Sequence, residues 1–379
     1  SFARSDNPVF VFSSLLTQHQ FGPENFNIGP LNRPDFLNNF QSLLTVDQVL
    51  YDAGQTRSAV KSADLSQQMT REEQRRTGMQ VISGVVSAYY GAVLASESLK
   101  TAEQALGSAE ADLKRAESVR AAGMSTDVDV LSIRVHLAAV TEQRIQRAAD
   151  LDVARSALND ALGLPLDTTH HLTTALSPLD LPDLELTSLE HDASATRPEA
   201  RETHLAADLA KTQADSARSS LLPQVTFRAA FEADRQRFLD RGGANWLASV
   251  GLHWNLFNGL ADKARIQESS HWLTRAHADE QRMDSAVRLE VRRAWADLRA
   301  AQQRIEVAKA AVAEAEESLR ITQNRYEAGM SNVTDLLRNE TAVLESRTRY
   351  LGAVHDQRLA ATMLELAAGR LSPDSEVLN

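Results

Sequence analysis

Two carboxylates stand at matching positions of the sequence and are its first candidates for chemistry. Asp129 lies six residues after Gly123 in "RAAGMSTDVDVL", and Asp335 lies six residues after Gly329 in "YEAGMSNVTDLL". In each segment a serine, threonine or asparagine can cap a new helix, and the acid then closes a capping box. The same acids at a narrow mouth would also repel anions and favour cations. The two interpretations are compatible.

Histidine offers a second kind of chemistry, metal ligation. His170 and His171 are adjacent, but neighbouring residues project differently and no carboxylate or third histidine stands at ligand spacing. We interpret the pair as part of an ordinary linker. The chain contains no cysteine, which excludes disulfides, thiol catalysis and cysteine-ligated metal. The sequence therefore predicts neither an enzyme nor a bound cofactor or metal.

Composition favours long helices over a conventional mixed fold. Aromatic residues make up only 5% of the chain, whereas Ala, Leu, Glu, Gln and Arg are abundant. A net charge of −11 argues against a nucleic-acid partner. No unbroken run of 18 apolar residues occurs, so we expect no transmembrane helix. This criterion does not detect the strands of a membrane barrel, because their residues alternate between apolar and polar types. No signal peptide is visible, and we expect the natural N-terminus to precede residue 1.

An internal repeat organises the chain. An offset of 206 aligns Gly123 with Gly329 and holds for about eighty residues without a gap. Between Gly259 and Gly329 there is neither Gly nor Pro, and one helix there would be roughly 100 Å long. Its large residues recur every seven positions, with small residues between them, which is a coiled-coil spacing. Each half therefore predicts a long antiparallel helical hairpin, over 55–163 and over 259–369. The large seam residues are Val291, Leu298, Ile305, Val312, Leu319 and Tyr326.

Residues that alternate between apolar and polar types precede each helical hairpin. Two such stretches in 223–258 predict a β-hairpin. The first half predicts a matching β-hairpin over 7–51, with one strand from Pro8 and a second strand in 36–51. A soluble sheet packed on helices and a membrane barrel both fit these strands, although their length and the charge on their polar faces favour the barrel. The apolar side of the second hairpin carries Phe227, Trp246, Val250, Leu252 and Trp254.

The order of these elements resembles the TolC-type outer-membrane efflux channel family. The matching motifs are "YDAGQTRSAV" and "LFNGLADKAR" at the strand-to-helix passages, and the two "AGMS" segments at the helical tips. A further match is "RPEARETHLAADLAKTQADSARSSLLPQVTF", a helix that runs into a strand. The resemblance extends from Pro8 to Gly369. It departs before Pro8, where no counterpart of the helix preceding Pro223 is present.

The resemblance implies a mainly α protein with a β-barrel part. Each chain would hold a two-fold repeat of a β-hairpin and a helical hairpin of about 100 Å. Three chains would close an outer-membrane barrel of about 12 strands, which continues into a periplasmic α-barrel. Residues 164–196 would form an equatorial segment, 197–222 a further α-barrel helix, and 370–379 a C-terminal tail.

The resemblance also implies a periplasmic entrance with a gate. Asp335 would belong to a ring of carboxylates that narrows the entrance. Some relatives carry a second acid where this chain has Arg338, so the acidic ring here would be single or partly neutralised. Tyr326 would hold the closed state by bonding to the neighbouring hairpin, with Asp129 as the expected partner; the alternative is a packing residue on the heptad seam. The tips that would dock a periplasmic adaptor are Gly123, Met124, Ser125, Gly329, Met330 and Ser331.

The implied function is that of a passive exit duct in the outer membrane. It would serve a tripartite efflux system as a homotrimer, opened by the adaptor and driven by an inner-membrane transporter, with its apolar strand face toward lipid. Type I protein secretion uses the same channel fold and stays open as an alternative. A soluble periplasmic coiled-coil scaffold would also explain the repeat, but it leaves Trp246 and Trp254 on an uncovered strand face.

Overall fold

The computed structural model describes residues 1–123, 126–180, 185–240 and 242–378. Within these ranges the protein is mainly helical, with one antiparallel sheet of four strands. The strands are β1 (Phe2–Ser5), β2 (Leu37–Tyr51), β3 (Gln224–Arg235) and β4 (Gly243–His253). The α-helices are α1 (Pro8–Thr17), α2 (Ile28–Asn32), α3 (Gln55–Ala121), α4 (Asp127–Ala161), α5 (Leu186–Thr196), α6 (Pro198–Ser219), α7 (Ala261–Glu327) and α8 (Val333–Ala367).

The chain divides into two compact units. The first unit contains the sheet, α1, α2 and the beginnings of the long helices, and it consists of Ser1–Ser66 with Ala207–Ala276. The second unit contains the helical tips and consists of Gln67–Ala206 with His277–Asn379.

The sheet has one apolar and one polar face, as the alternating sequence predicts. Its strand order is β1-β2-β3-β4, and every neighbouring pair is antiparallel. The register sets Phe227 opposite Val250 and Phe231 opposite Trp246, so these side chains share a face. On the other face, Arg228 forms an ion pair across the strands with Asp47.

The prediction of a strand from Pro8 is wrong, and with it the predicted β-hairpin over 7–51. Pro8–Thr17 forms the helix α1, and the short strand β1 that pairs with β2 lies before it. Proline in the first turn and an N-cap at Asn7 favour the helix, since Asn7 Oδ1 accepts hydrogen bonds from the backbone N–H of Val9 (3.0 Å) and Phe10 (3.2 Å). Apolar runs of this length fit a helix or a strand, and here the cap decides.

Helix α1 packs against the polar face of the sheet. Gln18, which follows the helix and is 1% exposed, donates from Nε2 to the backbone oxygen of Asn38 (3.0 Å) and to Oδ1 of Asn39 (2.8 Å). The amide of Asn245 donates to the Thr17 carbonyl (3.1 Å). A Cβ on Gly243 would lie 2.0 Å from that same carbonyl oxygen, so the close approach of the helix end requires glycine there.

The two helical hairpins confirm the internal repeat. Helices α3 and α7 each contain 67 residues, and α4 and α8 each contain 35. All four helix boundaries of the second copy fall 206 residues after those of the first. At about 1.5 Å per residue, a helix of this length spans roughly 100 Å. Helix length is therefore matched between the copies to the residue.

Seam residues form the core of the second unit. Val291, Leu298 and Ile305 of α7 are at most 5% exposed, and alanines such as Ala301 and Ala109 are fully buried between them. The pairing of large with small residues lets neighbouring helices approach closely, which maximises dispersion contacts. The segment after α8 adds to this core, because its Val377 packs with seam residues from α7 and α8.

One 18-residue window in α3 has a mean hydropathy of 1.3, apolar enough by composition to cross a membrane, although no unbroken apolar run occurs. Of the residues in that window, 33% are buried. Tyr90, Ala92 and Val93 of α3 are at most 2% exposed, so part of the apolar surface of this helix serves packing.

The junction between α5 and α6 lies against the end of α8. Arg197, 8% exposed, forms ion pairs with Glu199 (3.0 Å) and Glu290 (2.7 Å). Burial lowers the pKa of its guanidinium, but these two carboxylates more than compensate and raise that pKa. A Cβ on Gly369 would lie 2.9 Å from the Arg197 Cα. This contact makes Gly369 a close-packing residue as well as a turn residue.

Gly163 and Gly369 provide a matched test of this contact. Both end a helix with positive φ, +68° and +71°, but a Cβ on Gly163 would meet nothing within 4 Å. Alanine at Gly163 should cost about 1–2 kcal/mol for the left-handed conformation, and alanine at Gly369 should cost about 1–3 kcal/mol more for overpacking. Thermal unfolding followed by circular dichroism should show the larger loss for Gly369→Ala, and equal midpoints would contradict the proposed clash.

Candidate functional site at the helical tips

Each helical hairpin turns at a glycine in the left-handed region. Gly123 has φ +75° and Gly329 has φ +71°. The N–H of Gly329 donates to the carbonyl of Tyr326 (3.0 Å), and the N–H of Met330 donates to Arg325 (2.8 Å), which closes the end of α7. Met330 is 64% exposed. Of the predicted tip residues, Met124 and Ser125 lie outside the residues that the structure describes.

The first tip contains a complete capping box. Thr126 Oγ1 accepts a hydrogen bond from the N–H of Asp129 (3.2 Å), and Asp129 Oδ2 accepts from the N–H of Thr126 (3.1 Å) and from its hydroxyl (2.8 Å). These bonds hold the Asp129 carboxylate against its own turn, so its position follows from helix capping alone.

The second tip uses its acid differently. Asn332 Oδ1 accepts from the N–H of Asp335 (2.8 Å) and caps α8. The carboxylate of Asp335 accepts a long hydrogen bond from the Ser331 hydroxyl (3.5 Å) and lies 3.7 Å from Arg338. Both partners of this ion pair are largely exposed, which limits its contribution to roughly 0–1 kcal/mol. The Asp335 carboxylate therefore lies near the surface of the tip.

Tyr326 joins the two tips through packing. Its ring lies against a buried cluster of Ala116, Val130, Ile133 and Val333, which come from α3, α4 and α8. Burial raises the pKa of the Tyr326 hydroxyl, and the negative charges of Asp129 and Asp112 raise it further. The charge of Asp129 therefore acts on this hydroxyl across the junction of the two tips. The gating role of Tyr326 stays a prediction.

Buried charge above the tips was missed by the sequence reasoning. Charged residues on a long helix usually lie on its solvated face, yet Asp112 is 3% exposed and the side chain of Glu340 is 8% exposed. A cavity of about 280 Å³ lies beside Glu340 and His136. An offset of 206 aligns Asp112 with Ser318 and Glu340 with Arg134, but many other charged residues also differ between the copies, so the repeat gives no signal for these sites. Neither acid is part of the duplicated pattern.

The apolar face of the sheet is a second candidate surface. Trp246 is 80% exposed, Val250 67% and Leu252 69%, and Phe227 is half-buried. Trp254 follows β4, and its indole N–H donates to the Leu221 carbonyl (3.0 Å). The predicted apolar residues therefore lie together at a surface that the described part of the chain leaves uncovered.

The histidine pair falls in an extended stretch without regular structure, where His171 is exposed. In the part of the chain that the structure describes, no group of three or more His, Cys, Asp or Glu side chains is arranged to hold a metal ion.

Known proteins resemble this chain over most of its length. The outer membrane efflux protein family matches residues 32–164 and 189–370. Protein CyaE of Bordetella pertussis is 28% identical over 341 residues, which cover 89% of this chain and 72% of the relative. Outer membrane efflux protein BepC of Brucella suis is 24% identical over 376 residues, 97% of this chain and 80% of the relative. The solved structure of CusC superposes with a TM-score of 0.78 at 17% identity, covering 97% of this chain and 81% of that chain.

Proposed function

Because this chain belongs to the outer membrane efflux protein family, we propose that it is the outer-membrane exit channel of a tripartite efflux system. Three copies form a passive duct, with a gate at the periplasmic end that an adaptor protein opens. An inner-membrane transporter drives the export. The observation that carries this proposal is the two-sided sheet. One face is apolar and exposed, and the opposite face of the same strands carries charged residues.

A face of this kind needs an apolar environment. Each tryptophan, leucine or valine left in water forfeits about 25 cal/mol for every Å² of apolar surface that could be buried. The opposite face carries Asp47 and Arg228, so the sheet cannot bury both faces in one protein core. Lipid on one side and water on the other satisfy both faces, provided that the strand edges pair. Three copies of four strands supply that pairing in a closed barrel.

Recovery of the full-length protein provides the general test. We expect the protein in the detergent-extracted outer-membrane fraction, as a trimer. Recovery only in the soluble fraction would contradict the channel and favour a periplasmic scaffold.

The face assignment predicts a contrast between neighbouring residues of β4. Val250→Arg should cost about 2–4 kcal/mol if the residue lies near the bilayer midplane, because it places a charge in lipid. Ser249→Arg, on the opposite face and beside Arg228 in the register, should cost far less. The measurement is the yield of folded trimer in an outer-membrane assembly assay. Equal yields for both variants would exclude the proposed lipid face.

We propose that the adaptor docks on the two tips, because small residues at Gly123 and Gly329 allow close backbone approach. Gly329→Leu should reduce export of a substrate by the reconstituted system while the trimer still assembles. Gly163→Leu is the matched control, since its φ of +68° imposes a similar strain in open space. Normal export by a well-folded Gly329→Leu variant would rule out docking at this tip.

The gate prediction concerns Tyr326 and Asp129. In the closed trimer a charge-assisted hydrogen bond between them would contribute roughly 1.5–3 kcal/mol if buried and less at a wet tip. Tyr326→Phe removes the hydroxyl and keeps the ring in its cluster, so the trimer should assemble. We expect a higher single-channel conductance in planar bilayers, and a higher one still when Asp129→Ala is added. Unchanged conductance in both variants would leave Tyr326 as a packing residue and Asp129 as a helix cap.

A further inference from the structure

Two buried carboxyl groups face each other between the hairpins, about three helical turns above the tips. Asp112 belongs to α3 and Glu340 to α8, and each lies 11 residues along its helix from the glycine of a tip. Asp112 is 3% exposed, and the Glu340 side chain is 8% exposed. Aspartate and glutamate are almost never buried to this extent without a partner, so the pair requires a physical explanation.

The hydrogen bonds of the pair are incomplete without an added proton. Arg115 donates to Asp112 Oδ1 (2.9 Å), but the buried Oδ2 has no hydrogen-bond partner. Glu340 Oε2 also lacks a hydrogen-bond partner, although His136 Nε2 lies 3.2 Å away at ion-pair distance. Two ionised carboxylates can only accept, so neither can satisfy the other. If one of the two carboxyl groups is protonated, its O–H can donate a hydrogen bond to the other carboxylate, which accepts it.

The surroundings place that proton on Asp112. Burial raises the pKa of Asp112 to about 8, with a further contribution from the Glu340 carboxyl and an opposing one from Arg115. Burial also acts to raise the pKa of Glu340, but its interactions with His136 and Asp112 outweigh burial and lower that pKa. At neutral pH the pair therefore consists of a neutral Asp112 and a charged Glu340.

We propose that Asp112 and Glu340 form a proton-dependent latch, which holds α3 to α8 while they share one proton and releases them when that proton is lost. The consequence for transport, a looser entrance in alkaline surroundings, rests on the proposed channel function. The latch itself does not.

The charges around the latch favour release at high pH. Arg115 on α3 is the nearest cation, and it is shared with Glu327 on α7 at 3.5 Å. His136 faces the pair from α4, with its Nε2 3.2 Å from the Glu340 carboxylate. Tyr326 of α7 also lies within the electrostatic reach of Asp112. Loss of the shared proton would leave three carboxylates around one guanidinium, and like charges in a poorly solvated site repel strongly.

The repeat indicates that helix packing alone does not require these acids. At the position equivalent to Asp112, Ser318 donates to Asn339 Oδ1 (2.9 Å). At the position equivalent to Glu340, Arg134 is exposed and forms an ion pair with Glu117 (2.7 Å). The equivalent positions on α7 and α4 thus use ordinary polar contacts. The buried acids belong to α3 and α8, one from each copy of the repeat.

Hydrogen–deuterium exchange on the purified full-chain trimer tests the latch without any transport assay. The closed form binds the proton more tightly than an open form in which Asp112 has its ordinary pKa of 3.8. Its advantage is therefore full below that value, declines as pH rises, and is lost once pH exceeds about 8. After correction for intrinsic exchange rates, protection of 108–116 and 336–344 should fall about tenfold between pH 7 and pH 9. Equal corrected protection at the two pH values would overturn the proposal.

Asp112→Asn supplies the decisive variant, because an amide is neutral at both pH values and can still donate to Glu340. We expect its protection to be independent of pH and close to that of the unaltered protein at pH 7. Glu340→Gln removes the other charge and should also abolish the pH response, which covers the case in which Asp112→Asn fails to assemble. Glu117→Gln, an exposed carboxylate on the same helix, is the matched control and should keep the full response.

The outcomes separate the latch from the channel. A tenfold change in wild-type protection that persists in both latch variants would show that other groups titrate, and the latch would be wrong. A pH response that disappears in both variants establishes the latch, even if planar-bilayer recordings find no conductance, in which case the channel function alone fails. If the protein conducts, its open probability should rise between pH 7 and pH 9 in the unaltered protein and stay constant in Asp112→Asn.

Discussion

The packing of large against small side chains along a seven-residue seam is the constraint on which the helical unit depends. Helices of 67 residues have no other way to bury one stripe continuously along their length. Alanines such as Ala109 and Ala301, both fully buried, bring neighbouring backbones close, and residues such as Val291 and Ile305 fill the space between them. The tips inherit their positions from this seam, since Tyr326 is both a seam residue and a member of the cluster that joins the two turns.

The helical seam and the alternating faces of the strands could be predicted from the sequence because both are periodic. The four long helices, the left-handed Gly123 and Gly329, and the two-faced sheet all follow from spacing alone. Helix α1 did not follow, because ten mainly apolar residues without strict alternation fit either a helix or a strand. Its outcome depends on the Asn7 cap and on contacts with β2 and β4 that are remote in the sequence.

The buried acids escaped prediction for a different reason. A single Asp or Glu on a helix is usually solvated, and burial depends on which helix packs beside it. The repeat does not distinguish Asp112 and Glu340 from the other charged residues, because many charged positions differ between the copies. The matching tips are also unequal in their contacts, since Asp129 completes a capping box and Asp335 interacts with Ser331 and Arg338.

The equal lengths of the two hairpins also restrict how this chain can change through insertions and deletions. A seven-residue insertion in α7 alone would keep its seam in register but move its turn by about 10 Å along the helix axis. Tyr326 would then lose its contact with Ala116 of the first hairpin. Adding seven residues to both helices of the second hairpin would not restore that contact, because the tip of the first hairpin would not move with it. Viable length variants should therefore change all four long helices together, in whole heptads.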